Sequence, residues 1–593
     1  MALREEAFLD ATNIEATSGV TYGVTRPTKH ASNPLAFPAA ATSNQNYHTL
    51  SATGASILSG GTTAMALLGA NTGFVGIVPT YVTSADGVTF TQPDLDLVNW
   101  GGNTNNNVMY PDGIGDVSGG GTSPEKRWAI GAHFYHDDTA EWVVMMRGWN
   151  VNFGGFLYTS PNPYGPWTLA STVYPYNSGF PSVDPQCIAR RADGRWLSYY
   201  QKMSSGYPQT GIPNGYYAGR RRDLGCLLSD STDLFGTWTD QGVVLSCAAS
   251  SRQYYGASAW RTGETVCVAA WIFDGTDNVP AANTFNGTIN RVHKIALYTG
   301  SDDGLTLTLA DDDWLPSTGS TSDWDGGEIL TNSFPVTVAD ETRFYYAGDD
   351  ATHHQDWVAQ GNRRHMGLGT WGRNRLGKIT GTGTARTSLI TAATAATLTI
   401  NSTGTVAVEL LDASNNVITG YASADCDTIP ADTYGHTVTW GGESATPSAF
   451  KVKLYLTSGT VYYLTADEVV ADPAEGYGNT VSSGYGSATS GSATLTIDPV
   501  STAWEQVGTS ITVRTTSDDE FAPTPATVTA TVNSPAGGLL RFRGTDAARF
   551  AASLDGTTWA STVDIPAGEN TIYLRVTPTA AGTTMSAEIG VPI

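Results

Sequence analysis

The stretch SDDGLTL at residues 301–307 repeats the residue types of SADGVTF at residues 84–90. In both, Asp-Gly stands before an apolar residue, and glycine accepts a positive φ without steric cost, which is typical of a tight turn between strands. Related stretches begin at Thr159, Ser229 and Gly369. The five copies are roughly seventy residues apart, a period that indicates a propeller or a solenoid. We expect each copy to form the turn between the two outer strands of one blade.

A second series lies between these copies and marks the expected start of each blade's innermost strand. Its members are Asn107, Asp184, Tyr255 and Glu328, with the segment HASNPL at residues 30–35 as the fifth position. The innermost strands of a propeller line its central channel. The sequence therefore predicts a five-bladed β-propeller over residues 1–378, with one shared pocket at these positions.

The composition favours strands over helices throughout the chain. The 593 residues include 16 Trp, 27 Tyr and 66 Gly, and Thr, Val and Ser dominate the periodic stretches. Residues 379–470 alternate apolar and polar positions, which predicts an antiparallel β-sandwich. Residues 471–495 are rich in Gly and Ser and predict a linker or a long exposed loop. Residues 496–593 predict a second, Ig-like sandwich, so the fold class is all-β: a five-bladed propeller followed by two β-sandwich domains of the jelly-roll or Ig-like type.

The charge and the termini limit the classes of partner and location. A formal net charge of −24 argues against nucleic acid as a partner, because phosphate binding needs a basic surface. The N-terminus MALREEAFLD carries charges where a signal peptide needs an apolar core, and no run approaches the roughly 18 apolar residues of a membrane span. We therefore expect no signal peptide, no transmembrane segment and a chain that is cytoplasmic as synthesised.

The cysteines and one acidic run are the candidate positions for a disulfide or a bound metal. None of the five cysteines lies in a CxxC pair, so neither a disulfide framework nor a zinc site is predicted. The run DDD at residues 311–313 leaves a structural calcium open, with a solvated loop as the alternative. We expect no cofactor.

Several segments resemble a known group of proteins. The stretch SVDPQCIARRADGRWLSYYQ at residues 182–201 is similar to the second-blade segment of glycoside hydrolase families 32 and 43, where Asp-Pro on an inner strand precedes a hairpin. A fuller resemblance is to the propeller proteins called "glycosyl hydrolase family 32 N-terminal-like". It is carried by KHASNPL, LVNWGGNTNNNV, GRRRDLGCLLSDSTDLFGTW and HMGLGTWGRNRLGKI, and it covers roughly residues 10–470. The resemblance implies a five-bladed propeller glycosidase followed by a small β-sandwich.

The resemblance also points to catalytic carboxyl groups, because glycosidic cleavage normally uses two of them. It implies that Asp184 orients sugar hydroxyls and tunes the acid; the alternative is a cap on the turn before Pro185. Glu328, with Asp325 beside it, is the candidate general acid, and a blade-entry loop is the alternative. The first-blade carboxylate of the families is missing, since HASNPL offers only His30 and Asn33. Asp112 and Asp116, in the loop segment YPDGIGDV, are the candidate replacements, and an ordinary polar turn is the alternative.

Other side chains are candidates for binding the substrate. Alternation along a strand places Arg220 and Arg222 on one face, where they would clamp a uronate or sulfate, or alternatively pair with Asp223. Aromatic side chains suit stacking on sugar faces, although they also fill blades routinely. The binding candidates are His30, Asn33, Asn107, Arg220, Arg222, Tyr254, Tyr255 and Trp324.

Two classes of function follow from these observations. The first is a glycoside hydrolase acting on a cell-surface or environmental polysaccharide. The second is a non-catalytic glycan-recognition protein, such as a phage tail or fibre component that adsorbs the virion to its host. In both, the partner is a polysaccharide or surface glycan, and the C-terminal β-domains would support a homo-oligomer or a virion assembly.

Overall fold

A computed structural model describes most of the chain. The described residues are 2–11, 13–36, 48–58, 62–70, 77–97, 108–109, 127–149, 154–174, 183–205, 220–246, 252–274, 291–300, 303–320, 323–331, 334–350, 365–392, 395–468, 494–497, 504–507, 510–514, 526–534, 538–543, 550–554, 562–565, 568–576 and 584–590. Within these ranges the chain forms strands and no helix, so the all-β prediction is confirmed. Accordingly, the described part of the chain has no helix that is long and apolar enough to cross a membrane.

Five antiparallel sheets follow one another along the described part of residues 28–372. In chain order, the strands up to this point are β1 (Ala2–Glu6), β2 (Ile14–Val24), β3 (Thr28–Lys29), β4 (His48–Ile57), β5 (Thr63–Ala70), β6 (Ile77–Ser84), β7 (Arg127–His136), β8 (Glu141–Trp149), β9 (Gly154–Ser160), β10 (Thr168–Tyr174), β11 (Val183–Arg190), β12 (Trp196–Ser205), β13 (Arg220–Ser229), β14 (Trp238–Leu245), β15 (Arg252–Thr262), β16 (Thr265–Asp274), β17 (Arg291–Gly300), β18 (Leu307–Pro316), β19 (Glu328–Leu330), β20 (Val336–Val338), β21 (Glu341–Asp349) and β22 (His365–Gly372). Strands β4–β6 form the first sheet, and β7–β10, β11–β14 and β15–β18 form three four-stranded sheets. The fifth sheet contains β19 to β22 and, at its far edge, β3.

The sheets close into a ring. Strand β4 contacts β7, β7 contacts β11, β11 contacts β15, β17 contacts β19, and β19 contacts β4. Strand β3, from the N-terminal part of the chain, pairs with β22 from the end of the ring, with Thr28 opposite Thr370 and Lys29 opposite Gly369. Hydrogen bonds therefore join the two ends of the ring, and the prediction of a propeller is confirmed.

Three of the five repeated turn stretches join the two outer strands of one sheet, as the sequence predicts; the first copy follows β6, the last strand of its sheet, and the fifth copy leads out of the fifth sheet. Three copies connect β9 to β10, β13 to β14 and β17 to β18, which are the third and fourth strands of their sheets. In the first copy, the Asp86 carboxylate accepts hydrogen bonds from the backbone N–H groups of Thr89 and Val88, both at 2.7 Å, and from the Ser84 hydroxyl at 2.8 Å. These bonds hold the pKa of Asp86 well below its usual value. In this copy the acidic side chain closes the turn.

Replacing Asp86 by alanine is expected to lower the free energy of unfolding by about 1 kcal/mol. The loss stays modest because Asp86 is exposed, so that in the variant water can accept hydrogen bonds from the N–H groups that the carboxylate binds. Asp94→Ala is the matched control, since Asp94 is also exposed and follows the same turn. Urea unfolding of the two variants gives the comparison, and equal midpoints would contradict a closing role for Asp86.

Aromatic side chains pack the interior of the ring. Trp167, Trp196 and Trp314 are completely buried. The ring centroid of Trp314 on β18 lies 5.1 Å from that of Phe344 on β21 and 5.7 Å from that of Trp371 on β22. The outermost strand of the fourth sheet is therefore packed against the fifth sheet.

His133, on the innermost strand of the second sheet, is a fully buried titratable group. Its Nε2 donates a hydrogen bond to the carbonyl oxygen of Pro163 at 2.7 Å, and its ring stacks on Trp142 with the centroids 5.2 Å apart. Burial lowers the pKa of His133 to about 4. The neutral form of this side chain is therefore the one that the fold accommodates.

The free energy of unfolding is expected to fall as the pH falls from about 6.5 to about 4, because in that window the unfolded chain protonates His133 and the folded chain does not. The contribution is fully present above about pH 6.5 and amounts to at most about 3 kcal/mol. Unfolding measured against pH should show a flatter slope for His133→Gln than for the wild type, with His436→Gln, in a half-exposed position, as the control. Parallel curves for wild type and His133→Gln would contradict this account.

The acidic run at residues 311–313 lies on strand β18, so the prediction of a solvated loop is wrong. Asp311 accepts two hydrogen bonds from Arg26, at 2.7 and 2.8 Å. Asp312 and Asp313 both contact the Lys294 ammonium, at 2.6 and 3.0 Å. The three carboxylates therefore act as ion-pair partners. Among the described residues, no group of three His, Cys, Asp or Glu side chains has the arrangement of a metal site.

A seven-stranded antiparallel sheet follows the ring and belongs to the same compact unit. It adds β23 (Gly377–Thr387), β24 (Ile390–Thr391), β25 (Ala396–Leu411), β26 (Asp432–Thr437) and β27 (Ala449–Glu468) to β1 and β2. The order is β2-β23-β27-β25-β26, with β1 and β24 also paired to β27. Glu15 on β2 binds Lys451 at 2.8 Å and Arg386 at 3.3 Å. Residues 14–24 thus lie in this sheet, whereas the sequence assigned them to the propeller segment.

The C-terminal strands form a second compact unit. They are β28 (Thr494–Ile497), β29 (Trp504–Val507), β30 (Ser510–Arg514), β31 (Ala526–Ser534), β32 (Gly538–Arg543), β33 (Phe550–Ser553), β34 (Thr562–Ile565), β35 (Gly568–Val576) and β36 (Thr584–Gly590). Two antiparallel sheets result, in the orders β28-β31-β35-β33 and β29-β30-β36-β32-β34. Two sheets are what an Ig-like sandwich is built from.

Candidate functional site

The starts of the innermost strands share one end of the ring, because the first strand of every blade runs in the same direction along the central channel. A β-bulge follows the start of several of these strands. The extra residue is Gly131 on β7, Gln186 on β11 and Tyr255 on β15. Bulges bend a strand and change the direction of a side chain, and they are common beside active sites. This end of the ring is the candidate functional site.

The bulges also correct the alignment of the predicted series. The spacing of the sequence matched Asp184 with Tyr255. In the structure, Tyr255 is the bulged residue of its strand and corresponds to Gln186, so Asp184 corresponds to Gln253. The structural repeat between these two strands is therefore two residues shorter than the spacing of the predicted series.

Two carboxyl groups lie at the start of the fifth sheet's innermost strand. Asp325 and Glu328 are each only 1% exposed. The Lys29 ammonium binds Asp325 at 2.7 Å, and the Tyr346 hydroxyl donates a hydrogen bond to the same carboxylate at 3.2 Å. Burial, and next the charge of Asp325, raise the pKa of Tyr346 far above its usual value, so the hydroxyl remains a donor. Asp325 is therefore engaged by an ammonium group and a hydroxyl, which suits a positioning role better than proton donation.

Glu328 differs from Asp325 in its contacts. Its Oε1 accepts a hydrogen bond from the backbone N–H of Val292, on the neighbouring sheet, at 3.3 Å. Its cross-strand partner is Asp349, which is also buried. Directly opposite residues point to the same face of a sheet with Cβ atoms about 5 Å apart, so two buried carboxyl groups lie side by side here. The sequence did not pair Asp349 with Glu328; the only signal at this position is the two aspartates at the end of FYYAGDD.

Trp324 packs against the fifth sheet beside these carboxyl groups. Its ring centroid is 5.6 Å from that of Tyr346. Two glycines make this contact, because a Cβ at Gly348 would come within 2.5 Å of the indole and one at Gly367 within 2.4 Å. The indole is half-buried, and it leaves part of its surface to solvent. A partly exposed aromatic ring next to buried carboxyl groups is the usual composition of a small-molecule site.

A second group of side chains lies where the third and fourth sheets meet. Arg222, on β13, places its guanidinium carbon 5.0 Å from the ring centre of Tyr255 and 4.7 Å from that of Phe273. Tyr255 in turn stacks on Phe273 with centroids 5.5 Å apart. Gln253 accepts a hydrogen bond from the Arg222 backbone N–H at 3.2 Å, and Gln201 donates one to the Tyr255 carbonyl at 3.2 Å. Two buried glutamines therefore fix the arginine strand and the bulged tyrosine relative to each other.

Three other predicted binding residues make contacts within or between sheets or within their own loop. Tyr254 is buried between the third and fourth sheets, with its hydroxyl 3.1 Å from that of Tyr298, so it fills a blade. The Asn33 amide donates to the Leu368 carbonyl and accepts from the Leu368 N–H, both at 2.9 Å. Through this pair of hydrogen bonds the Asn33 side chain pairs with the backbone of β22 as a neighbouring strand would. His30, through its Nδ1, accepts a hydrogen bond from the Ser32 N–H at 3.1 Å.

The segment HASNPL does not lie on an innermost strand, so that part of the sequence prediction is wrong. It continues β3 beside β22, at the edge of the fifth sheet farthest from β19. The first sheet instead begins with β4. The physical reason is the closure of the ring, which uses the N-terminal segment as an outer strand.

The remaining predicted residues are less fully described. Asp184 is the second residue of β11, opposite Gln201, and Arg220 is the first residue of β13, opposite Ser205. For both, only the backbone is described. Asp112, Asp116 and Asn107 lie outside the described residues.

No protein-family model matches the sequence. No curated protein matches it either. Among solved structures, a family 117 glycoside hydrolase from the marine bacterium Zobellia galactanivorans is similar with a TM-score of 0.34 and 11% identity, over 60% of this chain and 90% of that one. A glycosyl hydrolase from Bacteroides ovatus is similar with a TM-score of 0.38 and 14% identity, over 61% and 98% of the two chains. The family 32 β-fructofuranosidase of Bombyx mori is similar with a TM-score of 0.34 and 10% identity, over 75% and 93%.

Proposed function

We propose that this chain is a carbohydrate-active propeller protein that hydrolyses glycosidic bonds of a polysaccharide, with Glu328 as the general acid. The observation that carries the proposal is the segment from Trp324 to Glu328. It places a half-buried indole and a carboxyl group that is 1% exposed at the start of an innermost strand. Carboxyl groups shielded from water are the ones that protonate leaving groups near neutral pH.

The reaction assigns a role to each group at this end of the ring. Glu328 donates its proton to the glycosidic oxygen as the bond to the anomeric carbon breaks. Water adds to the anomeric carbon and loses a proton to a base, which leaves a new reducing end. Asp112 remains the predicted base, and Asp184 remains the residue predicted to orient sugar hydroxyls. Asp325, held by Lys29, adds a fixed negative charge near the positive charge that develops on the sugar ring.

Trp324 supplies the surface on which a sugar ring rests. The flat face of an indole packs against the C–H face of a pyranose, and this contact excludes water from the neighbouring carboxyl groups. The seat formed by Gly348 and Gly367 fixes the indole before any substrate arrives. A rigid surface of this kind reduces the entropy lost on binding.

A reducing-end release assay tests the proposal. Purified full-length protein is incubated with neutral, uronic and sulfated polysaccharides, and new reducing ends are counted over time. The proposal expects release from one class of polymer and a rate that saturates with polymer concentration. Saturable binding without release from any polymer would contradict hydrolysis.

The alternative function is glycan recognition by a virion protein without catalysis. It predicts saturable binding without release of reducing ends. The names of the three similar structures above describe hydrolases or a fructofuranosidase, and none describes a virion protein. The virion alternative stays a prediction.

A further inference from the structure

We propose that Lys29 is a positioning residue of the candidate site, so that the assembly of this site depends on the strand that closes the ring. Lys29 lies on β3 and pairs with Asp325, inside the short segment that carries Trp324 and Glu328. This inference rests on the function proposed above, since it names what holds the same site in place. The observations that carry it are the ion pair and the burial of its carboxylate.

The ion pair joins the two edges of the fifth sheet. The strand order is β19-β21-β22-β3; Asp325 lies just before β19, and Lys29 ends β3. The Lys29 ammonium is 2.7 Å from the Asp325 carboxylate. The contact therefore reaches across the width of the sheet, and it forms only when β3 has paired with β22.

Close packing on the sheet fixes the carboxylate beside the ammonium group. A Cβ at Gly348, on β21, would lie 2.5 Å from the Cβ of Asp325, so glycine is what lets the aspartate lie against the strand. Tyr346 is two residues earlier on β21 and thus on the same face, and its hydroxyl donates to the carboxylate at 3.2 Å. Asp325 therefore has one fixed place, and Lys29 is its cation there.

The carboxylate depends on this cation because it is shielded from water. The side chain of Asp325 is 1% exposed, whereas that of Lys29 is 29% exposed. Within the described part of the chain, Lys29 is the one ammonium or guanidinium group at ion-pair distance from Asp325. A buried charge that loses its partner is strongly unfavourable, whereas water can solvate a partly exposed ammonium group. Without Lys29, Asp325 must move towards water or take up a proton.

A movement of Asp325 would displace the site, because the segment around it is short. Trp324 directly precedes Asp325, and Glu328 follows three residues later. Between them, the Gly327 N–H donates to the Asp349 carbonyl oxygen at 2.7 Å, which ties the start of β19 to β21. Displacement of Asp325 is expected to weaken this bond and to shift both the indole and the candidate acid.

Hydrogen–deuterium exchange of the full-length protein, without any substrate, tests the inference. The readout is the exchange rate of the peptide that contains Gly327, compared with that of strand β8 in the second sheet. Lys29→Met is expected to raise the rate at Gly327 at least about tenfold and to leave β8 unchanged. Lys29→Arg is expected to keep most of the protection, because arginine retains the positive charge beside the carboxylate.

Two further variants separate a local role from a general loss of stability. Lys202→Met is the matched control, since Lys202 also pairs with an aspartate, Asp240 at 2.9 Å, but lies in the third sheet. It is expected to leave the exchange at Gly327 unchanged. Asp325→Asn supplies the second background: if Lys29 acts through the charge of Asp325, adding Lys29→Met to Asp325→Asn should raise the exchange little further.

Four outcomes would overturn the inference. They are wild-type exchange at Gly327 in Lys29→Met, an equal rise in β8, an undiminished effect of Lys29→Met in the Asp325→Asn background, or a Lys29→Met protein with the wild-type rate of reducing-end release. If Lys29→Met does not fold, the double variant decides, since it contains no unpaired buried carboxylate. A folded double variant supports action through Asp325, and an unfolded one contradicts it.

Reducing-end release separates this inference from the proposed function. If the wild type hydrolyses a polysaccharide, Lys29→Met is expected to lower the rate at least about tenfold, with Lys29→Arg retaining most of it, because a displaced acid loses its alignment with the glycosidic oxygen. If the wild type releases no reducing ends while Lys29→Met speeds exchange at Gly327, the positioning role stands and the hydrolase is rejected.

Discussion

Replacing Glu328 by glutamine is expected to lower the rate of reducing-end release by about a hundred- to ten-thousand-fold. Glutamine fills the same space and can still accept the hydrogen bond from the Val292 N–H, but it has no proton to give the leaving oxygen. Affinity for the polysaccharide should change little, because the loss concerns the transition state. The measurement is the release rate at saturating polymer, together with the concentration that gives half of it.

An aryl glycoside of the same sugar sharpens this test. A good leaving group needs little protonation, so Glu328→Gln should lose much less activity on that substrate than on the polymer. Glu443→Gln is the control, since Glu443 is an exposed carboxyl outside the ring. Equal loss on both substrates, or an unchanged rate on the polymer, would contradict the role of general acid.

Replacing Trp314 by alanine is expected to lower the free energy of unfolding by about 3–5 kcal/mol. Its side chain is completely buried and touches Trp260, Phe344 and Trp371, with centroid distances of 5.8, 5.1 and 5.7 Å. Its indole N–H also donates to the carbonyl oxygen of Thr25 at 2.9 Å, which connects the ring to the start of the chain. Alanine leaves a large cavity and an unpaired carbonyl oxygen.

Leu309→Ala is the matched control for this prediction, because Leu309 lies on the same strand and is 45% exposed. It should change the unfolding free energy by less than about 0.5 kcal/mol. Urea unfolding followed by tryptophan fluorescence and by far-ultraviolet circular dichroism gives both values. Similar midpoints for the two variants would show that the packing around Trp314 is not what stabilises the junction of the fourth and fifth sheets.

The propeller was predictable because its signal is local and repeated. Asp86 accepts hydrogen bonds from backbone groups two and three residues further on, and Asp303 does the same for Leu305 and Thr306. Such a turn needs only its own few residues, so it shows in the sequence wherever it recurs. The period between the copies then gives the length of one blade.

The innermost positions were predicted less well, because they depend on register and closure. HASNPL lies next to β22, since the chain closes its ring with an N-terminal strand. Asp184 corresponds in register to Gln253, two residues before the predicted Tyr255. Neither feature changes the residue types of the strand, so the pattern alone does not contain them.

The contacts within the candidate site could not be predicted from the sequence, because they join residues that are far apart in the chain. Lys29 and Asp325 are 296 residues apart, and they meet only because β3 lies in the fifth sheet. Arg222 reaches Tyr255 across the boundary of two sheets. Glu328, by contrast, was found from its place in the series, although its buried neighbour Asp349 was not. Long-range pairing of strands decides which of these side chains meet.

The most direct test of the account is a crystal structure of Glu328→Gln bound to a fragment of the polysaccharide that it binds most tightly. The account predicts a sugar ring stacked on Trp324, with a glycosidic oxygen within about 3 Å of the side chain of residue 328. A fragment bound elsewhere, or one whose glycosidic oxygens all lie far from residue 328, would contradict the account.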